Sequence, residues 1–482
     1  MPPSRPMATR IIEDTRIRTL NDAPPDPEGG YVLYWMQQSQ RAGHNPALEH
    51  AVRLANEHDV RLLVVFGLMD DYPEANARHY RFLLEGLADV AGTLDERRIA
   101  FDVRRGHPAD VAIEAADGAV VVVCDRGYLR HQKQWRERLA KEAGRRVVQV
   151  EGDVVVPVEV ASDKREYAAR TIRPKIERAM GDYFVDLRTT AIGKESRGLK
   201  GRDSKFEVID ATNVDAALAS LTLDTTVPPV HHLFRGGTSE ARRRLSRFVE
   251  ERLKRYDEHR NQPHTDDLSY MGMYLHFGQI SPVEVALTVE DSRYGATRDR
   301  DSFVEEVVVR RELAMNYVHF EADYGAYSAL PEWSRKTLDA HRDDEREHVY
   351  TRSELENAET HDPYWNAAMR EMRYTGYMHN YMRMYWGKKI IEWTNTPEYA
   401  HRVALQLNNS YFLDGRDPNS YANVGWLFGL HDRPWNERDI FGTVRYMSSG
   451  GLERKTDPDA YVAKVDRLVE EAREAGVEVA EA

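Results

Sequence analysis

HDPYWNAAMREMRYTGYMHNYMRMYWGKKIIEW, residues 361–393, and LNNSYFLDGRDPNSYANVGWLFG, residues 407–429, are the stretches on which the reading of this chain turns. The first predicts two helices. Asp362 offers a carboxylate for an N-cap, Pro363 suits the first helical position, where its missing N–H costs nothing, and Trp365 falls in the opening turn. The second helix runs from about Met378 to Trp393. Steps of three and four put Asn380, Arg383, Met384 and Gly387 on one face, while Arg383, Trp386, Ile390 and Trp393 climb an adjoining stripe. At about 1.5 Å of rise per residue, Trp386 and Trp393 lie on one side roughly 10 Å apart. Taken alone, a tryptophan pair at this spacing signals ordinary core packing, and DGRDPN at 414–419 signals a polar turn.

The front of the chain alternates. Apolar runs YVLYWM (31–36), RLLVVFGL (61–68), FDVRR (101–105), AVVVVCD (119–125) and VVQVEG (147–152) read as strands. Between them helices are predicted over Pro46–Glu57, from about Ala75 to Arg97, from Pro108, and ending at Lys141. Short β-runs alternating with helices mean a parallel sheet covered on both faces. No Gly-x-Gly-x-x-Gly follows the first strand, so a dinucleotide fingerprint is absent. The expected division is a flexible, proline-rich leader over 1–29, an α/β domain over 30–158, an interdomain linker over 159–235 and an all-α domain over 236–482. Thr238 or Ser239 is the expected cap where that last domain opens.

Composition narrows the class. With 41% hydrophobic and 30% charged residues the chain reads as a soluble globular protein. No run approaches the roughly 18 apolar residues of a membrane helix, so no membrane role is expected. The single cysteine, Cys124, sits in an apolar strand and leaves no disulfide within the chain, which fits a reducing cytoplasm. A net charge of −13 argues against nucleic acid at first sight. A DNA site needs only a local basic surface, however, and residues 365–393 hold Arg370, Arg373, Arg383, Lys388 and Lys389 against Glu371 and Glu392.

The order Trp365, Asn380/Arg383/Met384, Trp386, Trp393, Asn408, Asp414-Gly415-Arg416-Asp417, Trp426 resembles the C-terminal flavin domain of the class II cyclobutane-pyrimidine-dimer DNA photolyases. YWMQQSQRAGHNPAL (34–48), YLHFGQISP (274–282) and FVEEVVVRREL (303–313) also look like that family, so the resemblance covers about residues 30–460. It implies a Rossmann-like α/β domain joined to a helical FAD domain. It also implies light-driven repair of cyclobutane pyrimidine dimers in UV-damaged DNA by electron transfer from fully reduced FAD. An antenna chromophore of deazaflavin or folate type can sit between the domains of such proteins. The chain is expected to act as an intracellular, cytoplasmic monomer.

Residue by residue, the resemblance places FAD against Tyr256, Leu268, Ser269, Met271, Gly272, Asn380, Arg383, Asn408, Asp414 and Asp417. Gly272 departs from the family's usual serine, and Ser420 stands where glycine is common. Arg383 would bring fixed positive charge to the flavin, with Asp414 as its partner, and Asn408 would face flavin N5. Trp386 and then Trp365 correspond to the electron route, with Trp393 as a further outlet. At the lesion, Glu306 matches the carboxylate that contacts the dimer, one-residue slippage to Glu305 remaining open, and Met384 and Trp426 match wall positions. Arg310, four residues beyond Glu306, would share its helical face. The segment 435–455 resembles the loop that enters the gap left by a flipped dimer. Arg433, Arg438, Arg445, Arg454 and Lys455 would hold phosphates there. Three rival readings remain: a cryptochrome-like blue-light flavoprotein without repair, a (6-4) photoproduct enzyme, and a nucleotide-binding module with a helical appendage.

Overall fold

The computed structural model describes residues 12–200 and 204–481. Seven strands form one sheet in the order β1-β6-β5-β2-β3-β4-β7. Its centre is the parallel set β2 (Tyr31–Trp35), β3 (Arg61–Leu68), β4 (Ala100–Arg105), β5 (Ala119–Asp125) and β6 (Arg146–Val150). Helices α1 (Pro46–Glu57), α2 (Ala77–Glu96), α3 (Pro108–Ala116) and α4 (Arg130–Glu142) connect them. The strands bury both faces: Val32, Tyr34, Val64 and Val123 pack on one side, Leu33, Trp35, Val65 and Val122 on the other. Cys124 is buried and free, as expected of a strand residue here. α1 starts where Asn45 accepts from Leu48 N and Pro46 follows, an N-cap and a first-position proline.

Both sheet edges depart from the sequence reading. Residues 12–29 are not a free leader: Arg16 is buried and β1 (Ile17–Thr19) pairs antiparallel with β6, while residues 1–11 lie outside the described residues. At the other edge the linker gives β7 (Val208–Ile209), antiparallel to β4. Three- and two-residue strands carry too little periodicity to be read from sequence, and they close edges that would otherwise leave backbone groups unpaired.

After Ile209 the described residues form helices, with only an isolated bridge between Arg438 and Gly442. The helix Thr238–Arg247, which opens the expected all-α domain, is capped differently from expectation. Gly237, at φ 117°, is the N-cap residue, and the Asp89 carboxylate of α2 receives Ser239 N and Ser239 Oγ in place of a local cap. The two helices of the opening motif are Pro363–Thr375, with Asp362 accepting from Tyr364 N and Trp365 N, and Asn380–Trp393, with His379 as cap.

The two halves meet through motifs that the sequence offers separately. Asp125, at the end of β5, accepts from Gln37 N, Gln38 N and Ser39 N and so shapes the loop after β2. Gly278 of YLHFGQISP lies at φ 64°, and a Cβ there would fall 1.9 Å from Gln38 O, so only glycine fits. Buried Arg41 donates to Gly278 O and to Asp153 Oδ1 at 2.9 and 2.7 Å.

On the far side of the interface, Arg78 of α2 is fully buried and donates to Pro228 O, Met372 O, Arg373 O and Tyr411 O. These include the closing carbonyls of two helices. Met372 O also accepts from Gly376 N, so Arg78→Met would orphan Pro228 O, Arg373 O and Tyr411 O, and at a typical cost of 1–3 kcal/mol per unsatisfied buried group we expect a loss of about 3 kcal/mol or more. Denaturant unfolding checks this; a change below about 1 kcal/mol would show that water replaces the guanidinium.

Candidate functional site: a basic cleft, an aromatic chain and a second cavity

Phe412 ends the helix Pro397–Tyr411, and its ring carries the Arg383 guanidinium at 3.8 Å. Arg383 makes two bonds to Asp414, at 3.0 and 3.2 Å, and a third to Met378 O. The pair is about one-fifth exposed, which leaves an ionic edge facing a cleft rather than a sealed salt bridge. Gly272 borders it: a Cβ there would stand 3.0 Å from Asp414 Oδ2. That accounts for the glycine, because a serine would press on the carboxylate that Arg383 holds. Asn408 is buried, with Nδ2 donating to Asn409 Oδ1, and Ser420 Oγ bonds Asp414 O, so the serine ties the turn together.

Tyr377, over whose ring Arg383 lies at 5.5 Å, also lines a cleft of about 400 Å³ with Leu268, Ser269 and Tyr270; its walls carry Lys464, Arg467 and four arginines, Arg243, Arg244, Arg247 and Arg252, that are paired with Glu240, Glu251 and Asp266. A trough of guanidinium and ammonium groups suits a ligand with phosphates. Tyr256 and Met271 are buried in the cluster behind it, and Asn380 is exposed at the start of its helix. Asp417 does not join Arg383 and Asp414. It caps the helix Pro418–Leu427, bonding Asn419 N at 2.8 Å and His276 Nδ1 at 3.1 Å. Burial pushes its carboxyl up, but the bond and charge of His276, the charge of Arg311 and the bond from Asn419 N together hold it below the usual range.

From Phe412 an aromatic chain leads outward. Trp386 lies 6.4 Å from Phe412, centroid to centroid. Trp365 Nε1 donates to Trp386 O at 2.9 Å, and the Trp365 ring stands 5.7 Å from Trp393. All three indoles are buried, and Trp386 Nε1 has no protein partner. Trp393 then touches Tyr350 and His361, at 5.5 and 5.1 Å. The helical wheel puts Trp386 and Trp393 on one stripe but gives no hint that Trp365, from the preceding helix, sits between them.

Glu306 falls in a π-helical turn, Glu305–Arg310, with Glu306 one-third exposed and bonded to Arg260. Such turns widen a helix and re-aim its side chains. The pairing expected between Glu306 and Arg310 does not form. In i→i+5 geometry Arg310 meets Glu305 instead, at 3.0 Å, and Arg173 grips the same carboxylate at 2.7 Å. Glu305 is thus committed to two arginines, which leaves Glu306 as the acid with one. Arg260, missed in the sequence, carries no signal there beyond lying four residues past Tyr256.

Trp426 has the Lys388 ammonium 5.1 Å and the Arg445 guanidinium 5.3 Å from its centroid. Met384 is half-buried. Lys388, fully enclosed and bonded to Leu427 O, is pushed down to about 7 by burial. Arg445 is not a free phosphate ligand: it pairs with Asp432 at 2.9 Å and stacks on Trp435 at 4.3 Å. Arg433, Arg438, Arg454 and Lys455 are exposed on the same loop region. The Ser-Ser-Gly-Gly run at 448–451 opens the short helix Ser449–Glu453, capped by Ser448.

A second cavity, about 100 Å³, lies between the sheet and the helical half. Trp35, Phe66, Leu129, Trp135 and Phe277 wall it, and His276 and Asp417 reach it from the helical side. Trp35 Nε1, Gln37 Nε2 and Gln40 Oε1 are buried there without partners. Polar atoms left bare on an apolar wall are what a planar heterocycle with a hydrogen-bonding edge would satisfy. Among the described residues no cluster of His, Cys, Asp and Glu suits a metal ion, and no helix is long and apolar enough to cross a membrane.

Comparison with known proteins sets these features in a family. The DNA photolyase family model matches residues 32–191. A deoxyribodipyrimidine photo-lyase of Methanothermobacter thermautotrophicus is 48% identical across 96% of this chain and 100% of its own length. One from Oryza sativa subsp. japonica is 39% identical across 96% and 93%. Among solved structures, an archaeal photolyase from Sulfolobus tokodaii described with two FAD molecules aligns at TM-score 0.66 and 18% identity, over 92% of this chain and 91% of that one.

The helix of Trp386 and that of Trp426 touch at Gly387, where a Cβ would fall 2.2 Å from Leu427 Cδ1. Gly387→Val should therefore cost about 1–3 kcal/mol by overpacking and blue-shift or redden tryptophan emission as the indoles move. Wild-type stability with an unchanged emission spectrum would mean that Leu427 yields freely.

Proposed function

The chain belongs to the DNA photolyase family, and on that premise we propose that it is a class II deoxyribodipyrimidine photo-lyase: a carbon–carbon lyase that uses light to split cyclobutane pyrimidine dimers in DNA. One observation carries the reading to these residues. The Arg383–Asp414 pair, which meets a cation-lined cleft through Tyr377, is joined through Phe412 to the chain Trp386–Trp365–Trp393.

FAD fits the residues present. The arginine trough would take its pyrophosphate, Arg383 and Asp414 would meet the ring, and Asn408 would lie at the turn beside them. When bound and fully reduced, FAD supplies a light-excited electron donor and recovers that electron, so no net redox change occurs. The protein's share is placement. Arg383 keeps positive charge beside the ring, and the buried indoles connect it to the surface. Glu306 and Arg260, with Trp426 and Met384, would receive the flipped dimer, whose weak stacking lowers the cost of extrusion. The second cavity is the place for an antenna chromophore. Its bare amide and indole groups favour a deazaflavin- or folate-type ring, for which Trp35 and Trp135 offer stacking faces.

Two measurements bear on this. Reduced protein mixed with dimer-containing DNA should clear dimers in blue light and not in the dark; bound FAD with no clearance would favour the cryptochrome-like reading. Within that assay Glu306→Ala should lower repair per absorbed photon, while dimer-DNA affinity changes by less than about tenfold, the worth of one charged hydrogen bond at the rim. An unchanged photon yield would mean that the acid is misassigned.

Trp386→Phe should abolish light-driven reduction of oxidised flavin and leave repair by chemically reduced protein near wild type. Equal loss of both would remove Trp386 from the electron route.

A further inference from the structure

Three ring side chains sit where the tryptophan chain reaches the surface, and the family reading of that chain does not account for them. The Tyr350 ring meets Trp393 edge-on at 5.5 Å, and its hydroxyl lies 2.7 Å from His361 Nδ1. The His361 backbone N–H donates to the same hydroxyl oxygen at 3.0 Å. In the tautomer that carries its hydrogen on Nε2, Tyr350 is the donor and Nδ1 the acceptor. His348 lies face to face with His361 at 3.7 Å. Trp393 is buried, whereas His361 is exposed.

Charge around the group matters as much as distance. Lys389 Nζ is 5.5 Å from the Trp393 centroid and is bonded to Glu392 at 2.7 Å. A fixed ammonium makes it costly for Trp393 to retain positive charge after losing an electron. Burial and the neighbouring His348 both push the His361 imidazole below its ordinary value, against the pull of Asp362 and Glu347, with Lys389 adding to the push. His361 is therefore neutral at physiological pH and able to accept a proton.

We propose that His361 is the base that takes the phenolic proton of Tyr350 when Tyr350 refills an electron vacancy on Trp393. The O–H bond of Tyr350 breaks. Its proton goes to His361 Nδ1 and its electron to the Trp393 radical cation, giving neutral Trp393, a neutral tyrosyl radical and imidazolium. The oxidant is Trp393 itself, emptied through Trp365 and Trp386 by light-excited oxidised flavin; on this point the inference rests on the function proposed above. A reductant in solution supplies the electron and the imidazolium gives back its proton, which returns Tyr350 to phenol. Because no charge remains on the tyrosyl radical, the vacancy cannot run back inward without recovering the proton.

Flash photolysis of the flavin-loaded, oxidised protein tests this, with tryptophan and tyrosyl radicals followed by transient absorption and electron paramagnetic resonance. In wild type the tryptophan signal should give way to the tyrosyl one, more slowly in D2O. His361→Ala should slow that step by about a hundredfold, the usual worth of a positioned base. Added imidazole should restore it, a rescue that a purely structural role would not allow. Tyr350→Phe should leave the tryptophan signal long-lived. His361→Gln, which keeps the bulk, should match His361→Ala without imidazole. A tyrosyl signal in His361→Ala at the wild-type rate would overturn the proposal. So would a wild-type protein that forms the tryptophan signal and never the tyrosyl one. If no tryptophan radical appears at all, the electron route fails and the exit with it.

Discussion

One buried cation fixes the geometry on which the rest depends. Arg78 enters the helical half from α2 and spends its donors on carbonyls, at Pro228, Met372, Arg373 and Tyr411, with no carboxylate partner among them. Burial lowers it to about 9, so it remains charged at neutral pH. Its counter-charge is the partial negative ends of two helices, Pro363–Thr375 and Pro397–Tyr411. Those ends are also starting points. Gly376, at φ 70°, leads from one to the helix of Arg383 and Trp386, and Phe412 leads from the other to Asp414. Leu413 N donates to Gly376 O, which ties the two departures together. The separation of Arg383 from Asp414 is thus set by a residue of the α/β half.

Much of this was legible in the sequence where local rules are strong. The caps at Asn45 and Asp362, the proline-started helices and the buried parallel strands follow from capping chemistry and apolar runs. What escaped depends on partners far along the chain. The strands at 17–19 and 208–209 exist because neighbouring edges need hydrogen bonds, not because their own residues insist on them. Asp89 caps a helix some 150 positions away, a relation no local window contains. The misplaced pairing of Arg310 had another cause: one π-turn moved its partner from Glu306 to Glu305, and apolar VVV at 307–309 gives no warning of it. The resemblance named Glu306; the structure supplies a physical reason, since Glu305 is already held by Arg173 and Arg310.

The charge balance shows the same division between sum and arrangement. A chain of net charge −13 still presents Arg433, Arg438, Arg454 and Lys455 on one exposed loop region, while Asp432 faces inward to Arg445. That ion pair does more than neutralise. It presses a guanidinium between Trp435 and Trp426, so an exposed indole is held by cation–π contact in place of a core. A loop so braced can enter a duplex without first paying the entropy of ordering.

The turn DGRDPN divides two cavities. Asp414 holds Arg383, Asp417 lines the cavity beneath the sheet, and between them Arg416, at φ 64°, is buried against Asn409 O at 2.6 Å. Asn409 in turn holds Asn408 on one side and Glu74 of the α/β half on the other. His79, kept neutral by burial and by Arg416, takes Asn76 N–H at Nδ1, which leaves Nε2–H for Phe412 O. The bonds from Arg416 to Asn409 O and from His79 to Phe412 O in this turn are buried. A chromophore in the outer cavity and a flavin in the inner one would be held by opposite faces of a single turn, so their separation and relative orientation would be fixed by covalent geometry. Energy transfer between two rings depends on both quantities, and on the function proposed above this turn would constrain both.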